Sequence, residues 1–192
     1  MGLLGANLPL KYGASGLGNV AYGLIMYELE RIDSALRSFV SVQGALVMHT
    51  IFSYGSEEQK SHYLPKLAKG ELVGCFALTE HHGGSDPQAL ETTVCKEGNS
   101  FVISGSKMWI TNGTIADLSI VWAKNQDGMI GGFIVPTDSP GFEAISIKGK
   151  MSMKASDTAE LSLQDVRIPE SFALPGALTL ASALACLTQA RY

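Results

Sequence analysis

Cys75-Phe76-Ala77-Leu78-Thr79-Glu80-His81-His82-Gly83-Gly84-Ser85-Asp86-Pro87 opens a stretch that closes on Lys107-Met108-Trp109-Ile110-Thr111-Asn112-Gly113. The apolar run Val73 to Leu78 reads as a buried strand that ends at Thr79-Glu80. Gly83-Gly84-Ser85-Asp86 then gives a turn whose backbone can approach a ligand closely. Unhindered amides and the Ser85 hydroxyl there can hold phosphate oxygens. Trp109-Ile110-Thr111 supplies an indole plate, a β-branched neighbour and a hydroxyl, which suits a flat ring needing a stacking face and a hydrogen bond near its reactive edge. Local chemistry leaves two plainer readings open: a turn rich in Gly, Ser and Asp is often only a turn, and a Trp here can cap a sheet from within the core.

Working outward, residues 1–18 are glycine-rich and irregular, and Asn19 to about Tyr54 turns helical. Asp33-Ser34 can cap a new helix, so two helices are expected to meet there. Ser56-Glu57-Glu58-Gln59 has the pattern of a capping box, with Pro65 and Gly70 breaking the helix that follows. After Gly70 the chain becomes β-rich. Phe101-Val102-Ile103, Leu118 to Trp122, Gly132 to Val135, Phe142 to Ile147 and Ala159 to Leu163 read as strands. Glu97-Gly98-Asn99, Asp127-Gly128 and Ser139-Pro140-Gly141 supply turns between them. From Ala177 to Tyr192 an Ala- and Leu-rich helix begins. The expected fold class is α+β: an N-terminal α-helical segment (1–72), a small β-barrel or sandwich (73–174), and the start of a C-terminal helix (175–192).

Composition narrows the classes. Among 192 residues, 46% are apolar and 17% charged, which excludes disorder. A net charge of −4 without basic clusters argues against a nucleic-acid surface. No apolar run reaches the roughly 18 residues of a membrane span, and the N-terminus lacks the pattern of a signal or transit peptide. The three cysteines, Cys75, Cys95 and Cys186, are widely spaced, so neither a disulfide framework nor a zinc site is indicated. His81-His82 reads as a pair of loop histidines, and no metal is expected.

The run Ala77-Leu78-Thr79-Glu80-x-x-Gly83-Gly84-Ser85-Asp86, followed by Gly105-x-Lys107-Met108-Trp109-Ile110-Thr111-Asn112, closely resembles the flavin-binding middle domain of the acyl-CoA dehydrogenases. The resemblance covers essentially the whole chain. It departs from the family at His81, where Pro is usual, and at Lys154, where Arg is usual. It implies FAD as cofactor, with Phe76, Ala77, Leu78, Thr79, Gly84, Ser85, Trp109, Ile110 and Thr111 binding it. It further implies an acyl-CoA substrate, electron-transfer flavoprotein as partner, and a homotetramer in bacterial cytoplasm or mitochondrial matrix.

Within the helical part, Arg37 and Ser41 lie one turn apart on one face, and Arg can grip a carboxylate through two parallel hydrogen bonds. The pattern from Glu28 to Ser41 resembles the glutaryl-CoA dehydrogenase branch. By that resemblance Arg37, Ser38 and Ser41 contact the distal carboxylate of glutaryl-CoA, Glu30 sits beside Arg37, and Ser85 and Arg191 are further substrate contacts. A solvated helix arginine is the plain alternative for Arg37, and Met48 and His49 read as packing residues. The family's catalytic base is a Glu in a C-terminal helical bundle, and Glu30, Glu80 and Glu91 do not match it, so the chain is expected to be a partial, inactive subunit. Other readings at this stage are an acyl-CoA oxidase, a dehydrogenase of monocarboxylic acyl groups, or a non-catalytic binding or assembly module.

Overall fold

The computed structural model describes residues 2–191. Helix α1 (Asn19–Ile32) ends where Asp33 turns extended, and the Asp33 carboxylate accepts from the Ala35 amide at 2.6 Å to cap α2 (Ser34–Ser41). The two helices meet where the sequence predicts. The second helix runs to Tyr54 as expected, through α3 (His49–Tyr54); what the sequence does not predict is that its middle, Val42–Met48, is π-helical. The joined helix, Ser34–Tyr54, has 21 residues and is long and apolar enough, by length and composition, to cross a membrane. It does not read as one unbroken apolar run because Arg37, Ser41, Gln43 and His49 interrupt it. Within the fold 61% of its most apolar window is buried.

Helix α4 (Glu57–Lys69) begins on the expected capping box: the Gln59 amide donates to Ser56 Oγ at 3.1 Å, and the Ser56 amide donates to Gln59 Oε1 at 2.9 Å. Gly70, at φ +72, ends it in the left-handed region. Pro65 does not break it. The prolyl ring forgoes one backbone hydrogen bond, but its neighbours Leu64 and Leu67 are completely buried, and that packing holds the helix through.

Seven strands follow: β1 (Gly74–Ala77), β2 (Thr93–Glu97), β3 (Ser100–Thr111), β4 (Leu118–Lys124), β5 (Ile130–Pro136), β6 (Phe142–Ser146) and β7 (Thr158–Pro169). They form one curled mixed sheet in the order β1-β4-β2-β3-β7-β6, with β5 paired to β4. β1 runs parallel to β4, while β4 with β5, and β3 with both β2 and β7, are antiparallel. The long partners β3 and β7 lose register twice, between Ile103 and Gly105 and between Lys107 and Ile110, which bends the sheet into a half-barrel.

Strand alternation explains why β1, β4 and β5 read as continuous apolar runs. Phe76, Ile120, Trp122 and Ile134 face the helices, packing with Val47, Met48, Ile51, Leu64 and Leu67. Their neighbours Cys75, Ala77, Val121, Phe133 and Val135 face the inside of the curl with Ile103, Ile110 and Leu161. Helix α5 (Leu180–Ala190) closes the helical side, contributing Ala183 and Cys186 to the first cluster. The expected fold class holds, with the sheet curled as a half-barrel.

Candidate functional site

The joined helix and β1 are fastened by Gln43, which is completely buried. Its amide donates to Leu67 O and Leu72 O at 3.1 and 2.8 Å, and its oxygen accepts from the Gly74 amide at 2.8 Å. At Gly74 a Cβ would lie 2.5 Å from a Val47 methyl carbon, so β1 can approach the helix this closely only with glycine there. The fastening leaves a cleft of about 360 Å³ beyond the end of β1.

Phe76, Leu78, Thr79, Gly84, Ser85, Trp109, Ile110 and Thr111 all line this cleft, together with Arg191 at the end of the chain. Two stretches separated by some two dozen residues thus meet across one opening. The Met108 amide donates to Thr79 O at 2.8 Å, which ties the first to the second. Ala77 is the exception among the expected residues: it does not line the cleft, and its methyl belongs to the cluster inside the curl. The sequence reading missed Val42 and Leu46 on the π-helical segment, Pro87, and Leu184 and Leu187 on α5. Their apolar character is shared with core positions, so nothing in the sequence singles them out.

Trp109 is not a core residue. It sits at φ +61 in the second register shift of β3 and is 56% exposed. Thr79, Ser85 and Thr111 place three hydroxyl side chains around the cleft. Gly84 has open space where a Cβ would stand. An exposed indole, free hydroxyl groups and an unhindered glycine suit a flat, phosphate-bearing group, and no carboxylate lines the cleft among the described residues.

Glu80 and Lys107, which the sequence leaves without a role, form a buried ion pair behind this cleft, 2.7 Å apart. Burial pushes the Glu80 carboxyl up, but the Lys107 charge and hydrogen bonds from Lys107, Thr92 and the Glu91 amide hold it below the usual carboxylate range. Burial pulls Lys107 down to about 8, against the raising effect of the Glu80 charge and hydrogen bond.

On α2, Arg37 Nε donates to Glu30 Oε2 at 2.7 Å, and Ser34 Oγ donates to Glu30 Oε1 at 2.6 Å. The Arg37 hydrogen bond, then that of Ser34, lowers the Glu30 pKa. Ser38 and Ser41 are buried on the same helix. Ser38 precedes Val42 by four residues, so it lies one turn from the cleft wall. His81 is exposed with Nε2 3.5 Å from Glu160 Oε1, and among the described residues no group of three possible ligands could hold a metal. Met48 is completely buried and His49 half-buried, in keeping with packing roles.

Sequence models of the acyl-CoA dehydrogenase N-terminal domain and middle domain match residues 1–71 and 75–166 respectively. The chain belongs to the acyl-CoA dehydrogenase family. A crystal structure of a glutaryl-CoA dehydrogenase from Mycobacterium smegmatis in complex with FADH2 superposes with a TM-score of 0.96 at 52% identity, covering 99% of this chain and 49% of that one. Butyryl-CoA dehydrogenase from Megasphaera elsdenii superposes at 0.93 with 32% identity, covering 99% and 52%. An acyl-CoA dehydrogenase of Bacillus subtilis is 38% identical over 174 residues, 88% of this chain and 46% of its relative. The chain thus spans about half the length of the acyl-CoA dehydrogenases it matches.

Proposed function

We propose that this chain forms the flavin-bearing part of a FAD-dependent acyl-CoA dehydrogenase whose substrate is glutaryl-CoA. What supports the reading is the pairing of an aromatic- and hydroxyl-lined cleft with an arginine held by Glu30 on the same joined helix that lines the cleft through Val42 and Leu46. When bound, FAD supplies the acceptor for a hydride from the acyl β-carbon.

Each group in the chain has a defined task in that reading. The Trp109 indole would offer the ring a stacking face, and the Thr79 and Thr111 hydroxyls, which line the same cleft, would supply hydrogen bonds to it. Gly84 and Ser85 hold phosphate oxygens. Glu30 fixes the Arg37 guanidinium so that its remaining N–H groups, with the Ser38 and Ser41 hydroxyls, receive the distal carboxylate. Arg191 at the cleft's edge steadies the acyl-CoA. The α-proton needs a placed base. Glu30 is tied to Arg37 and Ser34, and Glu80 is buried against Lys107, so neither is free to serve. The base therefore comes from outside these residues. Release of the distal carboxylate as carbon dioxide, electron-transfer flavoprotein as oxidant, a homotetramer, and a place in bacterial cytoplasm or mitochondrial matrix belong to the same reading.

The test is flavin bleaching and turnover in the full-length protein that carries this sequence, with glutaryl-CoA and butyryl-CoA compared for Arg37→Ala. Loss of glutaryl-CoA turnover with butyryl-CoA turnover retained supports the reading. Unchanged glutaryl-CoA turnover rejects the dicarboxylate and favours a monocarboxylic acyl group.

A further inference from the structure

Tyr22 on α1 is 1% exposed and packs with Met26, Val40 and Ala45, yet its hydroxyl has no hydrogen-bond partner among the described residues. A buried, unpaired hydroxyl is unfavourable, and phenylalanine would fill the same space without that penalty. The polar groups that act on it are the Ser41 hydroxyl and the Arg37 charge, which both oppose the rise in its pKa caused by burial. Val40 and Ala45, which share the cluster with Tyr22, stand one residue before and one turn after Ser41 on the joined helix, which sets Ser41 beside the unpaired phenol.

We propose that Tyr22 is a positioning residue for dicarboxylate specificity: when a carboxylate seats at Arg37, the Tyr22 hydroxyl donates to Ser41 Oγ, and Ser41 donates its own proton to that carboxylate. The chemistry of the hydroxyl favours this. A serine oxygen that accepts from a phenol keeps a single O–H to give, and an anion beside Arg37 is the partner that takes it. The unpaired phenol is then the ligand-free half of a relay that the ligand completes. This inference rests on the reading that Arg37 receives the distal carboxylate.

The test compares Tyr22→Phe, Ser41→Ala and the double variant in the full-length protein, by thermal unfolding and by steady-state kinetics with glutaryl-CoA and butyryl-CoA. Tyr22→Phe should unfold at or above the parent temperature. It should raise KM for glutaryl-CoA about three- to tenfold, the weight of one hydrogen bond, with butyryl-CoA unaffected. It should add nothing to Ser41→Ala, because the phenol acts through that serine. An unchanged KM for glutaryl-CoA, equal losses with both substrates, or additive losses in the double variant would each overturn the proposal. If Arg37→Ala spares glutaryl-CoA, the dicarboxylate reading falls and takes this inference with it. If Arg37→Ala weakens glutaryl-CoA and Tyr22→Phe does not, only the role of Tyr22 is lost.

Discussion

Lys107 Nζ lies 2.7 Å from Glu80 Oε1, with the lysine side chain wholly buried. The ammonium also donates to Trp122 O at 2.7 Å and Leu78 O at 3.3 Å. The carboxylate accepts from the Glu91 and Thr92 amides at 2.5 and 3.0 Å and from Thr92 Oγ1 at 2.6 Å. One ion pair therefore locks the chain after β1, the start of β2, the middle of β3 and the centre of β4 into a single arrangement, and the two cleft-lining segments are built on it.

Removing the cation leaves a buried carboxylate without its counter-charge. Lys107→Met is expected to lower unfolding free energy by about 3–5 kcal/mol, measured by urea denaturation. FAD affinity should fall with it, because Thr79 and Trp109 stand at either side of the pair. A loss below about 1 kcal/mol would mean that the hydrogen bonds to Thr92 and Glu91 carry Glu80 by themselves.

The same pair gives acid sensitivity a direction. Glu80 has a folded pKa below its ordinary value of 4.5, so on acidification the unfolded chain takes up the proton first. Its contribution is fully present above 4.5 and is lost as pH falls through the lowered folded value. Glu80→Gln should be less stable at neutral pH and should show a flatter fall in urea midpoint from neutral to acidic pH. Parallel pH profiles for the two proteins would assign the acid sensitivity to other carboxyl groups.

Trp109 is exposed at a bulge, so its ring adds little to folding and is available to a ligand. Trp109→Ala should leave stability within about 0.5 kcal/mol. It should weaken FAD binding, followed by flavin fluorescence, by about tenfold, with Trp109→Phe retaining most of the affinity. A large drop in stability with unchanged FAD affinity would make the indole a structural residue.

Gly105 stands in the other register shift at φ +153, and a Cβ there would come 2.5 Å from Thr92 Oγ1 and 2.7 Å from Thr92 Cα. Backbone cannot yield cheaply, so Gly105→Ala should destabilise by about 1–3 kcal/mol in urea denaturation. That result runs against the gain expected for Gly→Ala inside an ordinary strand. Since Thr92 also holds Glu80, the variant should share the acid sensitivity of a weakened ion pair.

Several elements needed only local sequence. The Asp33 cap, the Ser56–Gln59 capping box and the Gly70 helix end formed where expected, because each is settled by side chains and dihedrals within four residues. Strands β1, β4 and β5 announced themselves as apolar runs because both of their faces are buried. β2, with only Val94 buried among its residues, was not seen, and β3 and β7, at 12 residues each, extend well beyond the runs 101–103 and 159–163 that mark them in the sequence. Their extra residues mix polar positions with buried apolar ones such as Ile110, Val166 and Ile168, and are held by pairing to a neighbouring strand, a partner that no local window contains.

By itself, then, the sequence determined the order of helices and strands, the family resemblance, and the residue types that converge on the cleft, since these depend on propensity, periodicity and short motifs. The tertiary structure alone decided that Val42–Met48 is π-helical, that Pro65 stays helical, that Ala77 faces away from the cleft, and that Glu80 and Lys107 are a pair. Each of those outcomes is fixed by groups far apart in the chain. A buried lysine is tolerable only when a carboxylate from 27 residues away and two carbonyls arrive at hydrogen-bonding distance, and only the folded chain brings them there.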